Sequence, residues 1–255
     1  MKSRIIIGLV AALMLGGCDH KAWFEKFIPK EDAEFSKNYL ALFQARDFDA
    51  IEARMDPSLK SAELRPKLEQ IAAFFPSEKP NDIQTVGAHT FASADTTQID
   101  LTFQYTYPRK WLLASVVLQK KGGDTAVTGV NVQPLQDSLE NINRFTFEGK
   151  GVTHFAIFAS AIIVPLFIVA ATILCIKTPI PKRKWLWMLF VLFGFAQATL
   201  NWSDGNLDIN PLSFQILGAG FWKASPYGPL LVSVSVPVGA IVFLLRRKKW
   251  LVQAR

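Results

Sequence analysis

Residues 98–107 read QIDLTFQYTY, and the fold of the first half of the chain turns on them. Ile99, Leu101, Phe103, Tyr105 and Tyr107 alternate strictly with Gln98, Asp100, Thr102, Gln104 and Thr106. A period of two puts one apolar and one wet face on a β-strand, so Gln104 and its alternate neighbours are expected in solvent. Downstream, residues 111–119 and 125–132 are further strand-like runs, and Lys120-Lys121-Gly122-Gly123-Asp124 between them supplies the glycines of a hairpin. Gly129 marks a bulge in the second run. Upstream of residue 82 the period is 3.6. Phe35, Tyr39, Leu42 and Phe43 form the stripe of a helix that starts at Glu31 and ends near Arg46-Asp47. Phe48, Ile51 and Met55 carry a second short helix stopped by Asp56-Pro57-Ser58, and Leu64, Leu68, Ile71, Ala72 and Phe75 a third stopped by Pro76. For residues 31–150 the expected class is α+β, helices packed on a curved antiparallel sheet.

Charge divides the chain at the end of that region. The 255 residues hold 28 Lys and Arg against 21 Asp and Glu, a net charge of +7. Residues 151–255 carry a basic excess opposed only by Asp204 and Asp208, whereas residues 19–150 are net acidic. Positive charge therefore belongs to the apolar third, which removes the usual reason to expect a nucleic-acid partner. Two cysteines, Cys18 and Cys175, exclude a disulfide scaffold and a Cys-rich metal site.

In that third, residues 154–176, 185–202 and 227–245 are apolar stretches close to the ~20 residues that a ~30 Å hydrocarbon layer requires. The expectation is an all-α membrane domain, residues 151–255, of three transmembrane helices. Lys177, Lys182, Arg183 and Lys184 follow the first stretch and Arg246, Arg247, Lys248 and Lys249 the third, so the positive-inside rule places that loop and the C-terminal tail in the cytoplasm. Trp185, Trp187, Trp202, Trp222 and Trp250 fall at the stretch ends, where an indole suits the headgroup layer. No charged residue lies inside the stretches, which argues against a self-contained ion-coupled transporter. Pro165 and Pro237 are expected to kink the first and third helices. Ala156 and Ser160, Gly194 and Ala198, and Ser235 and Gly239 stand four apart, small-residue helix faces on which a membrane-protein partner packs. Residues 211–222 form a further apolar stretch, too short to cross a bilayer.

At the N-terminus, Lys2 and Arg4 precede the apolar residues 5–15, and the run ends Leu15-Gly16-Gly17-Cys18. This is a signal-peptide pattern whose ending resembles the lipobox of bacterial lipoproteins. The resemblance implies that residues 1–17 are removed, that Cys18 becomes the acylated first residue, and that residues 18–30 form a lipidated tether. Asp19 resembles the enterobacterial signal for retention in the inner membrane.

Short helices, the Arg46-Asp47-Phe48-Asp49 link and a long meander, over residues 31–135, resemble the nuclear transport factor 2-like superfamily, a cystatin-like α+β cone. The resemblance implies a pocket between helix and bent sheet. Tyr105, Tyr107 and Trp111 are the candidates to line its mouth, but core packing or sheet burial is the use to expect first, because apolar alternation by itself creates that face. Asp100 lies on the opposite face of its strand from both tyrosines, so that strand cannot aim a carboxylate and a phenol into one cavity. His20, His89 and His154 are isolated from one another in sequence, and no nucleophile motif, metal spacing or phosphate loop occurs. No catalytic residue, metal or cofactor is expected. The resulting expectation is an inner-membrane lipoprotein, residues 19–150 periplasmic, acting as a non-enzymatic binding or assembly component of the bacterial envelope. An accessory subunit of a membrane transporter or envelope-biogenesis complex, and an enzyme acting on a hydrophobic ligand in the cone, are the alternatives.

Overall fold

The structure, a computed structural model, describes residues 20–253. The signal segment, Cys18 and Asp19 lie outside the described residues. The described residues divide into two units, residues 20–142 with 225–227, and residues 143–224 with 228–253.

In the first unit, α1 (His20–Phe27) and α2 (Lys30–Ala45) precede α3 (Phe48–Ala53) and α4 (Leu64–Ala72). Arg46 ends α2 in the left-handed region at φ 56°, returning its N–H to the last-turn carbonyls of Leu42 and Phe43. Asp47 then caps α3, its carboxylate accepting from Ala50 N at 3.1 Å. The link sequence is thus a helix stop followed at once by a helix start. Strands β1 (Asp82–Ala92), β2 (Thr97–Tyr107), β3 (Lys110–Lys121) and β4 (Asp124–Leu135) form an antiparallel meander in that order. Gly122 and Gly123 turn the β3–β4 hairpin at φ 60° and 96°. In β4, Val117 faces Gly129 and Leu118 faces Val127, so Thr128 is the extra residue of a bulge at the expected place. There Val127 N and O, each at 2.9 Å, bond Arg54 O and Asp56 N, which ties the link after α3 to the sheet. The core lies between helices and sheet: Tyr39, Leu40 and Phe43 of α2, and Leu68 and Ala72 of α4, pack on Leu101, Phe103 and Tyr105.

Gln104 departs from the alternation. It is 5% exposed, and its Oε1 accepts from Leu139 N at 2.7 Å, because the short helix α5 (Leu139–Ile142) begins over the outer face of β2.

The second unit corrects the expectation of an all-α membrane domain with three transmembrane helices. Among the described residues one helix, α6 (Val152–Lys177, 26 residues), is long and apolar enough to cross a membrane, and Pro165 sits inside it. Residues 185–202 divide into α7 (Lys184–Leu192) and β5 (Phe193–Asn201). Residues 227–245 divide into β8 (Leu231–Val236) and the start of α8 (Val238–Gln253). With β6 (Leu207–Ile216) and β7 (Ala219–Trp222) the strands form a second antiparallel sheet, ordered β6-β5-β8-β7. The reasons are local. Leu231-Val232-Ser233-Val234-Ser235-Val236 alternates with period two and is rich in β-branched residues. Pro237 biases Val236 to extended backbone and then opens α8, its carbonyl accepting from Ile241 N at 3.0 Å. Asp204-Gly205, with Gly205 at φ 77°, supplies the turn between β5 and β6.

Of the three small-residue pairs, Ala156 and Ser160 lie on α6 as expected, but the others do not form helix faces. Gly194 and Ala198 lie on β5 and Ser235 on β8, not on helix faces. A Cβ at Gly194 would stand 2.7 Å from Ser235 Cβ and 2.8 Å from Gly218 Cα, so Gly194 allows backbones to approach within the sheet. Trp202 does not present its ring to the surroundings; it is 1% exposed within a ring of Phe145, Phe147 and Phe158, and its Nε1 donates to Thr146 O at 2.8 Å.

Candidate functional site

The interior of the first unit is a chain of aromatic rings. Tyr39 meets Phe43 edge-on at 5.7 Å, Phe43 stacks on Phe75 at 6.2 Å, Phe75 meets Tyr105 edge-on at 5.7 Å, and Tyr105 stacks on Tyr107 at 6.4 Å. The strand period delivers Tyr105 and Tyr107 to this face, and the α2 stripe delivers Tyr39 and Phe43. Both candidate tyrosines of β2 are buried at 2% exposure, whereas Trp111, at the start of β3, is half-buried. Thus Tyr105 and Tyr107 lie in the core, and only Trp111 of the three retains an exposed edge.

This core holds four hydroxyls, those of Ser36, Tyr39, Tyr105 and Tyr107, without a hydrogen-bond partner among the described residues. An unpaired buried hydroxyl costs about 1–3 kcal/mol, so two from α2 and two from β2 in one core form a feature that packing alone does not call for. Burial pushes the Tyr107 phenol up to about 12, with Glu78 adding to the rise, and holds Tyr39 and Tyr105 well above the ordinary tyrosine range. These groups are neutral donors and acceptors at every physiological pH, suited to holding a polar atom and unsuited to taking up protons as bases. Asp100 faces away from them, as the strand period requires. On that outer face it is the register partner of His89, so the structure brings together two residues the sequence left apart. Among the described residues no group of three or more His, Cys, Asp or Glu is placed to hold a metal.

In the second unit, α6 has two unlike walls. Ala161, Ile168, Ala171 and Cys175 are buried against the rest of the unit. Phe155, Ile162, Leu166, Val169, Ile173 and Ile176, at helical spacing on the other wall, are exposed. The sheet that packs on the same helix is also two-faced. Leu200 and Val232 are buried toward α6 with Ala161. Gln197, Thr199 and Asn201 of β5 alternate with them, face Asp208 and Asn210 of β6, and line an open groove of about 370 Å³ with Trp222. Polar alternation within residues 197–210 was the sequence signal for this groove, masked by the apolar average of the stretch. No family model, no curated protein and no solved structure matches the chain.

Proposed function

We propose that the protein is a membrane-held, non-enzymatic binding or assembly component of the bacterial envelope, attached through α6 and through a lipid on Cys18, with the first unit on the outer side of the inner membrane. The carrying observation is the pair of walls on α6. One wall is apolar, exposed and suited to lipid; the other bears a sheet whose unpaired β6 and β7 edges and polar groove cannot face hydrocarbon. A helix partnered in this way calls for protein or water on its sheet side, which favours an assembly component over a free-standing anchor. Pro211 and the local bonds of Asn210 to Leu212 N and Ser213 Oγ blunt β6 against simple strand addition, so the partner meets side chains and not a bare backbone edge. The aromatic core of the first unit supports binding over catalysis, since its unpaired groups are the Ser36 hydroxyl and three phenols kept neutral.

The experiment is extraction of native membranes, first with alkaline carbonate and then with mild detergent. The chain should stay in the pellet through carbonate and elute from detergent at a mass well above its own, together with another membrane protein. Release by carbonate would end the attachment reading, and a monomeric detergent species would end the assembly reading.

A further inference from the structure

At the C-terminal end of α6, basic residues collect in a region whose own segments carry no acid: no Asp or Glu occurs between Glu148 and Asp204, or after Asp208. Two of these cations hold the frame. Lys184 Nζ donates to Ile176 O at 2.5 Å, and Arg247 Nε donates to Thr178 Oγ1 at 3.3 Å, fastening α7 and α8 to the end of α6. Three others, Lys182, Arg183 and Arg246, line a cleft of about 490 Å³ between α7 and α8, within the size range of small-molecule sites.

The cleft is amphiphilic. Its mouth is cationic, and its walls are Leu186, Phe190 and Val242. Arg246 stands over the Trp187 ring, its guanidinium carbon 5.9 Å from the centroid, which orients a planar, five-donor group without using its edges. Arg183 is held at φ 54°, the left-handed region, and caps α7 without a side-chain bond. A non-glycine residue in that region is a local strain of the kind found at binding sites.

We propose that this cleft is a site for one anionic phospholipid, its phosphodiester held by Lys182, Arg183 and Arg246 and its acyl chain laid on Leu186, Phe190 and Val242. A small phosphate would engage the mouth and leave the apolar walls unused. A zwitterionic lipid would bring no net charge to three cations. Both halves of the cleft are satisfied by a phosphate carrying a hydrocarbon chain. The assignment rests on the membrane attachment proposed above.

The test uses the full chain reconstituted in phosphatidylcholine nanodiscs doped with increasing phosphatidylglycerol, with lipid retention read by native mass spectrometry. The expected result is saturable retention of one phosphatidylglycerol, unaffected by millimolar inorganic phosphate. Joint replacement Lys182→Gln, Arg183→Gln and Arg246→Gln should lower retention by roughly tenfold or more, whereas Lys248→Gln with Lys249→Gln, two exposed cations outside the cleft, should leave it unchanged. Val242→Trp, which fills the cleft and keeps every charge, should also abolish retention, so a folding fault in the triple variant does not decide the matter. Equal loss in both charge variants would overturn the site in favour of diffuse attraction, and displacement by phosphate would overturn the lipid assignment. Failure of the chain to enter phosphatidylcholine discs at all is a separate readout that rejects the attachment itself.

Discussion

Gln104 shows what a local pattern omits at the scale of one residue. Strict alternation assigns it to solvent, and its Cα does lie on the outer face, but Leu139, thirty-five positions away, seals it with a backbone hydrogen bond. Phe103→Ala should cost about 3–5 kcal/mol through the cavity left in the core. Gln104→Ala, which strands the Leu139 amide, should cost about 1–3 kcal/mol instead of nothing. Hydrogen exchange of the β2 and β3 amides in the two variants reports the difference; an unchanged rate for Gln104→Ala would mean that the α5 contact carries no weight. The buried tyrosines make a second prediction. Each is neutral in the fold and ionises near pH 10 when unfolded, so the unfolded state loses protons first as pH rises. Stability is therefore full below about pH 10 and falls as pH climbs toward the Tyr107 value of about 12. Phenolate absorbance followed against pH should rise together with loss of the near-ultraviolet circular dichroism. Titration of all tyrosines near pH 10 in an intact fold would contradict their burial. The lipobox makes the third: labelled fatty acid should enter the wild type and be absent from Cys18→Ala, and label retained in that variant would remove the lipid from the account.

At the scale of elements, the first unit was legible and the second was not, for one physical reason. Residues 98–107 present an unmixed period of two, and Arg46-Asp47 an unmixed stop and start, so each segment states one structure. Residues 185–202 and 227–245 mix a helical half with a strand half, and an average of hydropathy over such a window reports membrane length without reporting period. The strand halves were visible in Val232-Ser233-Val234-Ser235, inside a stretch apolar enough to hide it, and in the turn signal Asp204-Gly205 just past the end of residues 185–202. The candidate site divides in the same way: Tyr105 and Tyr107 were placed on the correct face, but the unpaired state of their hydroxyls, and the groove on the second sheet, depend on contacts between distant segments. Gly194→Val tests the sheet assignment. Its side chain would enter the space of Ser235 and Gly218 and should cost about 1–3 kcal/mol by overpacking, seen as a lower melting midpoint in detergent. A neutral result would place Gly194 on an open surface. On α6, Leu166→Lys should weaken membrane retention, since a central lysine disfavours insertion by about 3 kcal/mol. Unchanged membrane retention would mark α6 as a water-facing helix.

At the scale of the whole molecule, the charge division and α6 are the support for the proposal that the chain is held in a membrane with the basic end of α6 inside and the preceding unit outside. α6 is about 39 Å long at 1.5 Å per residue, enough for ~30 Å of hydrocarbon with its ends in the headgroup layers. Lys150 and Arg144 precede it, whereas Lys177, Lys182, Arg183 and Lys184 end or follow it, so the larger basic cluster stands at its C-terminal end, the side the positive-inside rule assigns to the cytoplasm. The most direct measurement is thiol accessibility in intact spheroplasts, in a Cys175→Ser background, with a single cysteine introduced as Glu148→Cys or as Lys177→Cys. A membrane-impermeant maleimide should label the Glu148→Cys protein and miss the Lys177→Cys protein until the membrane is opened with detergent. Labelling of both before lysis, or of Lys177→Cys alone, would contradict the claim that α6 crosses the membrane in this direction.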